Sequence, residues 1–457
     1  MKTEYEKFLE NKRHTIGDFG FKANYIPDCA FDFQAEIIER NVRKGRISDF
    51  LDTGLGKTLI QISTAYNIVR HTNKKVLIIT PLAVGFQFIK EALDREITDD
   101  IEISKDGKHT KKIVICNYER LHYFDSSDFV GVLLDESSIL KNFDGKIKNS
   151  INSFIKKVPY RLLSTATPSP NDFIELGTSS EALGYMGYVD MLGKFFKNNQ
   201  NSVDSGNRNI GEKYYLKPHA ENDFFNWVSQ WSIMCKMPSD LGFSNDRYIL
   251  PELNIKKNIV KNENLMDVNG QMQMFNKPAK SFNEIRNEVK NTIEQRCDIA
   301  LELAKGKTSV YWVNRNDESY ILKNNDIEAI EIIGSQSIDK KEEILKAFAD
   351  GEIKRLITKA KMTGMGLNWQ HCNHSVFFPT YSYEQYYQAI RRFWRFGQTK
   401  EVNIDMVISD GQTRVLEALE QKTQKAIELH KKLTENVNGV FENKIKEFNK
   451  NIIKPKF

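Results

Sequence analysis

Cysteine is scarce and scattered, with five residues in 457 (Cys29, Cys116, Cys235, Cys297, Cys372), an odd number and no C-x-x-C pair. A disulfide framework is therefore not expected, and the thiols should be reduced. His371, Cys372 and His374 stand close together. Two or three soft ligands without a second cluster read as a packed turn rather than a zinc site. No run of eighteen apolar residues occurs, and Met1 to Asn11 is charged without an apolar stretch behind it. Neither a membrane span nor a secretory leader is expected, and the location expected is the cytoplasm. A large excess of one charge is missing too: 66 Lys and Arg against 61 Asp and Glu leave a net charge of +5 and a pI near 8.6. That balance permits a polyanionic partner without demanding one. What is plentiful is apolar side chain, 40% of a chain too long for one ordinary core, which suits two domains with additions.

The most informative stretch is Asp52-Thr53-Gly54-Leu55-Gly56-Lys57-Thr58, lying between a partly apolar run (Ile47 to Leu51) and a helical pattern (Leu59, Ile62, Tyr66, Val69). It reads as strand, phosphate loop, helix. Gly54 and Gly56, flanking Leu55, let successive N–H groups turn inward around phosphate oxygens, and the following helix adds its positive end. Lys57 neutralises β/γ-phosphate charge, and Thr58 offers a hydroxyl to Mg²⁺. The full G-x-x-x-x-G-K-[ST] pattern would place glycine where Leu51 stands, so an ordinary helix start is the alternative for this stretch alone. Upstream, Phe31-Asp32-Phe33-Gln34 opens a helical run. The Gln34 amide, with donors and an acceptor, suits an adenine edge, and a surface glutamine is the plain alternative.

Short apolar runs alternate with helical patterns through the first third of the chain. Val76 to Pro81, Ile113 to Cys116 and Val130 to Leu134 read as buried strands, and Arg161 to Thr165 as another that ends in hydroxyls. Such alternation implies a parallel sheet covered on both faces. The third of these runs ends in Asp135-Glu136-Ser137-Ser138, which delivers two carboxylates to the carboxyl edge of the sheet, where open α/β sheets bind ligands. Asp135 suits Mg²⁺, partly through water, and Glu136 suits the polarisation of an attacking water.

The domain reading is 1–171 for a nucleotide-binding α/β core, then 172–250 for a mainly helical insertion with a flexible Asn/Ser/Gly-rich loop near 198–210. It continues with 251–410 for a second α/β core and 411–457 for a helical extension. A helical run is expected over Phe282 to Lys305, and the strands of the second core at 309–313, 330–333, 355–358, 375–378 and 402–407. Leu416, Leu419, Ala426 and Leu429 are expected to dock the extension. In the second core, Thr363-Gly364-Met365-Gly366-Leu367-Asn368 is another glycine turn where backbone suits phosphate. In Gln388-Ala389-Ile390-Arg391-Arg392-Phe393-Trp394-Arg395-Phe396-Gly397-Gln398, arginines three apart on an expected helix would share a face suited to a γ-phosphate in transit. A solvated basic helix is the alternative there.

Taken in order, these residues resemble helicase superfamily 2 and, within it, the Swi/Snf-like translocases, over about residues 25 to 430. Gln34 is similar to the adenine-reading glutamine, Gly54 to Thr58 to motif I, and Thr80-Pro81 with Gln87-Phe88 and Glu91 to motif Ia. Asn117-Tyr118-Glu119 is similar to the Thr-Tyr-Glu segment. Asp135 to Ser138 stands where Asp-Glu-x-His is usual, and Thr165 to Pro168 resembles motif III. Thr363 to Asn368 resembles motif V, and Gln388 to Gln398 the Swi/Snf form of motif VI. The set looks nearest to compact helicases of phages and prophages. Ser138 departs from the motif II histidine and Asn117 from a threonine, which puts domain coupling and nucleic-acid grip in question.

The resemblance implies an α/β fold of two RecA-like parallel-sheet domains in tandem and an ATP hydrolase coupled to DNA translocation, used in phage or bacterial replication or repair. ATP and Mg²⁺ are the implied ligands. Lys57, Asp135, Glu136, Arg392 and Arg395 are implied as catalytic, with Gln34, Gly54, Leu55, Gly56, Thr58, Gly366 and Gln388 at the nucleotide. Thr80, Pro81, Asn117, Tyr118, Thr363 and Asn368 are implied at the nucleic acid. DNA in single-stranded, duplex or forked form is the implied partner, with replication or single-strand-binding proteins besides. No membrane partner and no obligatory oligomer are expected. A motor component of a restriction-type nuclease and an RNA helicase are the alternatives, since phosphate-directed contacts do not distinguish sugars.

Overall fold

The computed structural model describes residues 17–141, 146–169, 172–198, 214–246, 248–261, 282–363, 367–380 and 382–438. The chain divides into two compact units, with boundaries after Tyr248 and after Lys425.

In the first unit the strands are β1 (Arg46–Leu51), β2 (Lys75–Thr80), β3 (Ile101–Ile103), β4 (Ile113–Asn117), β5 (Phe129–Asp135) and β6 (Tyr160–Thr165). A small antiparallel pair, β7 (Phe196–Asn198) and β8 (Tyr214–Leu216), follows, and then β9 (Ser232–Cys235). Seven of them form one sheet in the order β3-β4-β2-β5-β6-β1-β9, with every neighbouring pair parallel. The helices are α1 (Asp32–Lys44), α2 (Lys57–Thr72), α3 (Gly85–Asp94), α4 (Lys146–Ile155), α5 (Leu176–Leu183), α6 (Tyr188–Phe195) and α7 (Glu221–Trp231). Val76, Leu77, Ile78 and Ile79 of β2 have no exposed surface, because a parallel sheet in this class is covered on both faces. Burying each such side chain contributes about 1.5–3 kcal/mol.

One residue breaks the apolar rule. Asp49, in the middle of β1, is fully buried, and its Oδ2 accepts from Asn41 Nδ2 at 2.7 Å. Its Oδ1 has no hydrogen-bond partner among the described residues. Burial outweighs that bond and pushes the carboxyl up to about 7.

The segment read as an insertion, 172–250, needs a correction at its end. β9 lies beside β1, with Ser48 opposite Ser232 and Leu51 opposite Cys235, so this stretch completes the first sheet. Helix α7 leads into it, and Trp231 meets Phe50 of β1 edge to face at 6.0 Å between ring centres. The expected flexible loop near 198–210 lies outside the described residues apart from Asn198.

The second unit holds β10 (Leu253–Val260), β11 (Ser309–Trp312), β12 (Ala329–Glu331), β13 (Arg355–Thr358), β14 (His374–Phe377) and β15 (Val402–Ser409), in the order β10-β15-β14-β11-β13-β12, again all parallel. Its helices are α8 (Phe282–Asn291), α9 (Ile293–Ala304), α10 (Asn316–Asn325), α11 (Ile338–Ala349), the short α12 (Ala360–Thr363) and α13 (Tyr383–Ile390). α14 (Thr413–Asn438) begins in this unit. The run expected as one helix over 282–305 is thus two. Cys297, Ala300, Tyr311, Ile357, Val376 and Val407 share one core cluster. Leu416 and Leu419 are buried as expected, while the side chains of Ala426 and Leu429 lie outside the described set. The molecule is therefore α/β with two parallel sheets, consistent with tandem RecA-like domains. Among the described residues no helix is long and apolar enough to cross a membrane.

Candidate active site

The phosphate loop links β1 to α2. Gly54 and Gly56 adopt φ of +91° and +83°, left-handed values that side chains resist, and Gly56 caps α2 directly before Lys57. The Lys57 ammonium folds back over the loop, donating to the carbonyl oxygens of Leu51 at 3.0 Å and Asp52 at 3.3 Å. Asp52 N–H donates to Cys235 O at 2.9 Å, so β9 braces the loop where it leaves the sheet. Gln34 is buried against this loop: its Oε1 accepts from Phe31 N–H at 3.0 Å and its Nε2 donates to Leu55 O at 3.0 Å. Each end of the amide thus has one bond made, with a second lone pair and a second N–H in its capacity.

The register of the sheet brings the acids to the same edge. Asp135, the last residue of β5, stands opposite Ser164 of β6, and Thr165 of β6 stands opposite Phe50 of β1. Asp135 Oδ1 accepts from Gln61 Nε2 of α2 at 2.8 Å, and its backbone carbonyl accepts from the Tyr118 hydroxyl at 2.6 Å. Glu136 turns the chain with φ of +54°, and its Oε2 accepts from Thr165 Oγ1 at 3.3 Å. Thr165 Oγ1 in turn accepts from Thr167 N–H at 3.1 Å, tying the β6 end to the acid. Thr58, half-buried at the start of α2, and Asp135 make a hydroxyl and carboxylate donor set. Such a set suits Mg²⁺, which binds through one or two carboxylates plus substrate phosphates.

Several residues are placed differently from expectation. Tyr118, expected at the nucleic acid, is buried with its hydroxyl committed to Asp135, so it supports the acidic turn. Thr80 and Asn117 end the adjacent strands β2 and β4 in mutual register, both buried, with Pro81 half-buried beyond them. Gln61 was not singled out from sequence, although it lies one helical turn beyond Lys57, on the same face as the phosphate loop.

In the second unit the expected helix over Gln388 to Gln398 stops at Ile390, and Arg392 and Arg395 sit in the turns that follow. They meet nonetheless. Arg392 Nη1 donates to Leu367 O at 2.8 Å, and Arg395 Nη1 reaches the same oxygen at 3.4 Å. Arg392 is almost fully buried, with Nε on Gln388 O at 2.9 Å and Nη2 on Gln388 Oε1 at 2.7 Å. It is thus a strut that clamps the Leu367 loop to α13, whereas Arg395 is half-buried with one longer bond to that loop. Gln398 braces the turn, donating to Gln370 O at 3.0 Å and Phe393 O at 3.2 Å. Asn368 is half-buried, its Nδ2 on Gln370 Oε1 at 3.3 Å. Thr363 ends α12, while its side chain and the turn 364–366, including Gly366, lie outside the described residues.

Residues 291–397 match the Helicase conserved C-terminal domain. The matched stretch runs from the Asn291 end of α8 to the turn that holds both arginines. Over 412 residues the chain is 21% identical to the uncharacterized ATP-dependent helicase YqhH of Bacillus subtilis (strain 168), covering 81% of this chain and 72% of that one. It is 32% identical over 104 residues to DNA repair protein RAD5 of Yarrowia lipolytica and 32% over 109 residues to DNA repair protein RAD5A of Arabidopsis thaliana. Those matches take in 22% and 23% of this chain and only 10% and 11% of the two repair proteins. Together the matches support a helicase-type, ATP-dependent enzyme of superfamily 2.

Proposed function

We propose that the chain is a nucleic-acid-stimulated ATPase that translocates along DNA, in bacterial or phage DNA replication or repair. The observation that carries this reading is the edge shared by the ends of β1, β5 and β6, where the phosphate loop, Lys57, Asp135, Glu136 and Thr165 lie together. Lys57 and the loop N–H groups hold the triphosphate, so Lys57 exchanges its bonds to Leu51 and Asp52 for phosphate oxygens. Thr58 and Asp135 would hold Mg²⁺, which would supply neutralisation of β/γ charge. Gln61 and Tyr118 keep Asp135 in place. Glu136 orients the attacking water and takes its proton, and its Thr165 bond links the state of the acid to the β6 end. Arg395 is the better candidate for contact with the transferring phosphoryl group, and Arg392 positions the loop that carries Leu367. Gripping phosphates rather than bases makes movement sequence-blind and salt-sensitive. DNA is favoured as the track because two relatives are named for DNA repair.

The test is phosphate release with single-stranded DNA, duplex, forked DNA and RNA, alongside displacement of a third strand from a triplex. Wild type should be stimulated by DNA and should displace the strand. Lys57→Ala and Glu136→Gln should lose stimulated turnover by about 10²–10⁴-fold. Stimulation by RNA and not by DNA would move the assignment to an RNA helicase, and no stimulation by either would remove it.

A further inference from the structure

The amino edge of the second sheet opens into a cavity of about 440 Å³. It lies where β11, β14 and β15 begin. Three lysines reach its walls: Lys256 from β10, Lys307 from the turn before β11, and Lys400 from the turn before β15. All three are exposed at the rim. Among the described residues none of them has a carboxylate partner within ion-pair distance; the Lys307 ammonium lies 3.3 Å from His374 Nε2.

The floor is a hydrogen-bond chain. His374 Nε2 lies 3.0 Å from Asp405 Oδ2, His374 Nδ1 lies 2.9 Å from Ser309 Oγ, and Asp405 Oδ1 accepts from Asn258 Nδ2 at 3.2 Å. Asp405 is the one carboxylate lining the cavity, and its charge is spent on this floor. Ser309 has no exposed surface, so the Ser-His-Asp order is a brace and not a nucleophile. Three ammonium groups against one satisfied carboxylate leave an excess of positive charge in a concave site. Concave walls of low polarisability concentrate that field. Asn403, half-buried in the lining, adds a neutral amide.

We propose that this amino-edge pocket binds a phosphate group, as a second anion site separate from the phosphate loop of the first unit. The ligand chemistry is a tetrahedral oxyanion held by point-charge donors, and lysines suit it because they need no planar fork to match. The cavity is within the range that takes a small ligand rather than a lone ion, which favours a phosphodiester segment or a pyrophosphate over orthophosphate. That the phosphodiester belongs to the DNA track rests on the proposed function; that the pocket takes phosphate does not.

The experiment uses the full chain without ATP. Binding of a labelled oligothymidine is followed by fluorescence anisotropy across a salt series, and binding of inorganic pyrophosphate by calorimetry in the Lys57→Ala background, which suppresses the phosphate loop. Lys256→Gln/Lys400→Gln is compared with Lys340→Gln, an exposed control on α11, and melting curves verify that all variants are folded. If DNA supplies the phosphate, the double variant weakens DNA binding, and its slope against log salt falls by about 1.4, roughly 0.7 for each charge removed. If the ligand is a free phosphate compound, DNA binding is unchanged and pyrophosphate binding is lost. Unchanged binding of both probes by the folded double variant would overturn the proposal. The pyrophosphate arm reads the pocket even if the DNA-motor reading fails.

Discussion

Glu136 holds a left-handed backbone, φ +54°, in a position where a residue with a side chain costs energy to keep. The cost is of order 1–3 kcal/mol, and the fold sustains it by anchoring the neighbouring carbonyl of Asp135 to Tyr118 and the carboxylate to Thr165. Tyr118→Phe should therefore keep ATP binding while lowering stimulated turnover about tenfold, by loosening the turn; equal losses in KM and kcat would place Tyr118 elsewhere. Asp49 permits a separate test. Its carboxyl is raised by burial to about 7, whereas in the unfolded chain it titrates near the ordinary carboxylate value of about 3.9. The proton is therefore held by the folded state between those values. Stability from this group is fully present below about pH 4 and is lost as pH rises to about 7, after which it is level. Asp49→Asn should abolish that slope and raise the melting temperature at pH 8 more than at pH 4. A variant with the wild-type slope would mean Asp49 is ionised throughout.

At the scale of elements, two turns carry the proposed chemistry and each is held by a neighbour. A Cβ at Gly56 would overlap Gln34 Nε2, and φ there is +83°. Gly56→Ala should cost about 1–3 kcal/mol and raise KM for ATP. Introduced into Gln34→Ala, the same change should cost less, because the overlap is gone and only the backbone term stays, which a double-mutant cycle on melting data reads directly. Arg392→Lys removes a fork that bridges Leu367 and Gln388, and should lose about 2–3 kcal/mol of stability in addition to activity; loss of activity with unchanged melting would make Arg392 a purely chemical residue. The legibility of these elements differs for physical reasons. β2, β4 and β5 stand out in the sequence because burial on both faces leaves an unbroken apolar run. β10, exposed or half-exposed over most of its length, reads Leu-Asn-Ile-Lys-Lys-Asn-Ile-Val, and β9 is four residues at an edge, so neither announces itself. The glycine turn before α2 and the acidic end of β5 lie where residue type and spacing put them, and their service to a nucleotide is the proposal. The arginine pair was found by type but put on a helix, since spacing alone does not reveal that α13 ends at Ile390. The bonds of Tyr118 and Gln61 to Asp135 were not legible, because that partner is distant in sequence.

For the whole molecule, a net charge of +5 is too small to attract DNA by itself, so grip depends on local arrangement. Stimulated ATPase should fall along a straight line of log affinity against log salt, as counterion release requires. The same protein should show little dependence on base sequence, and strong preference among oligonucleotides of equal length would point to base contacts instead. The two sheets differ in what they gather: the first brings the glycine turn and the acidic pair to its carboxyl edge, and the second opens a cationic cavity at its amino edge.

The strand order of the first sheet also has a bearing on synthesis. β1 and its phosphate loop emerge from the ribosome early, yet both lateral neighbours of that strand, β6 and β9, are made more than a hundred residues later. Until Cys235 has left the exit tunnel, the carbonyl that receives the Asp52 N–H is out of reach, and the loop has no wall on that side. Nascent chains stalled before that point should not be retained on immobilised ATP, and those extended well past it should, so competence for nucleotide would arrive late and at one step of translation.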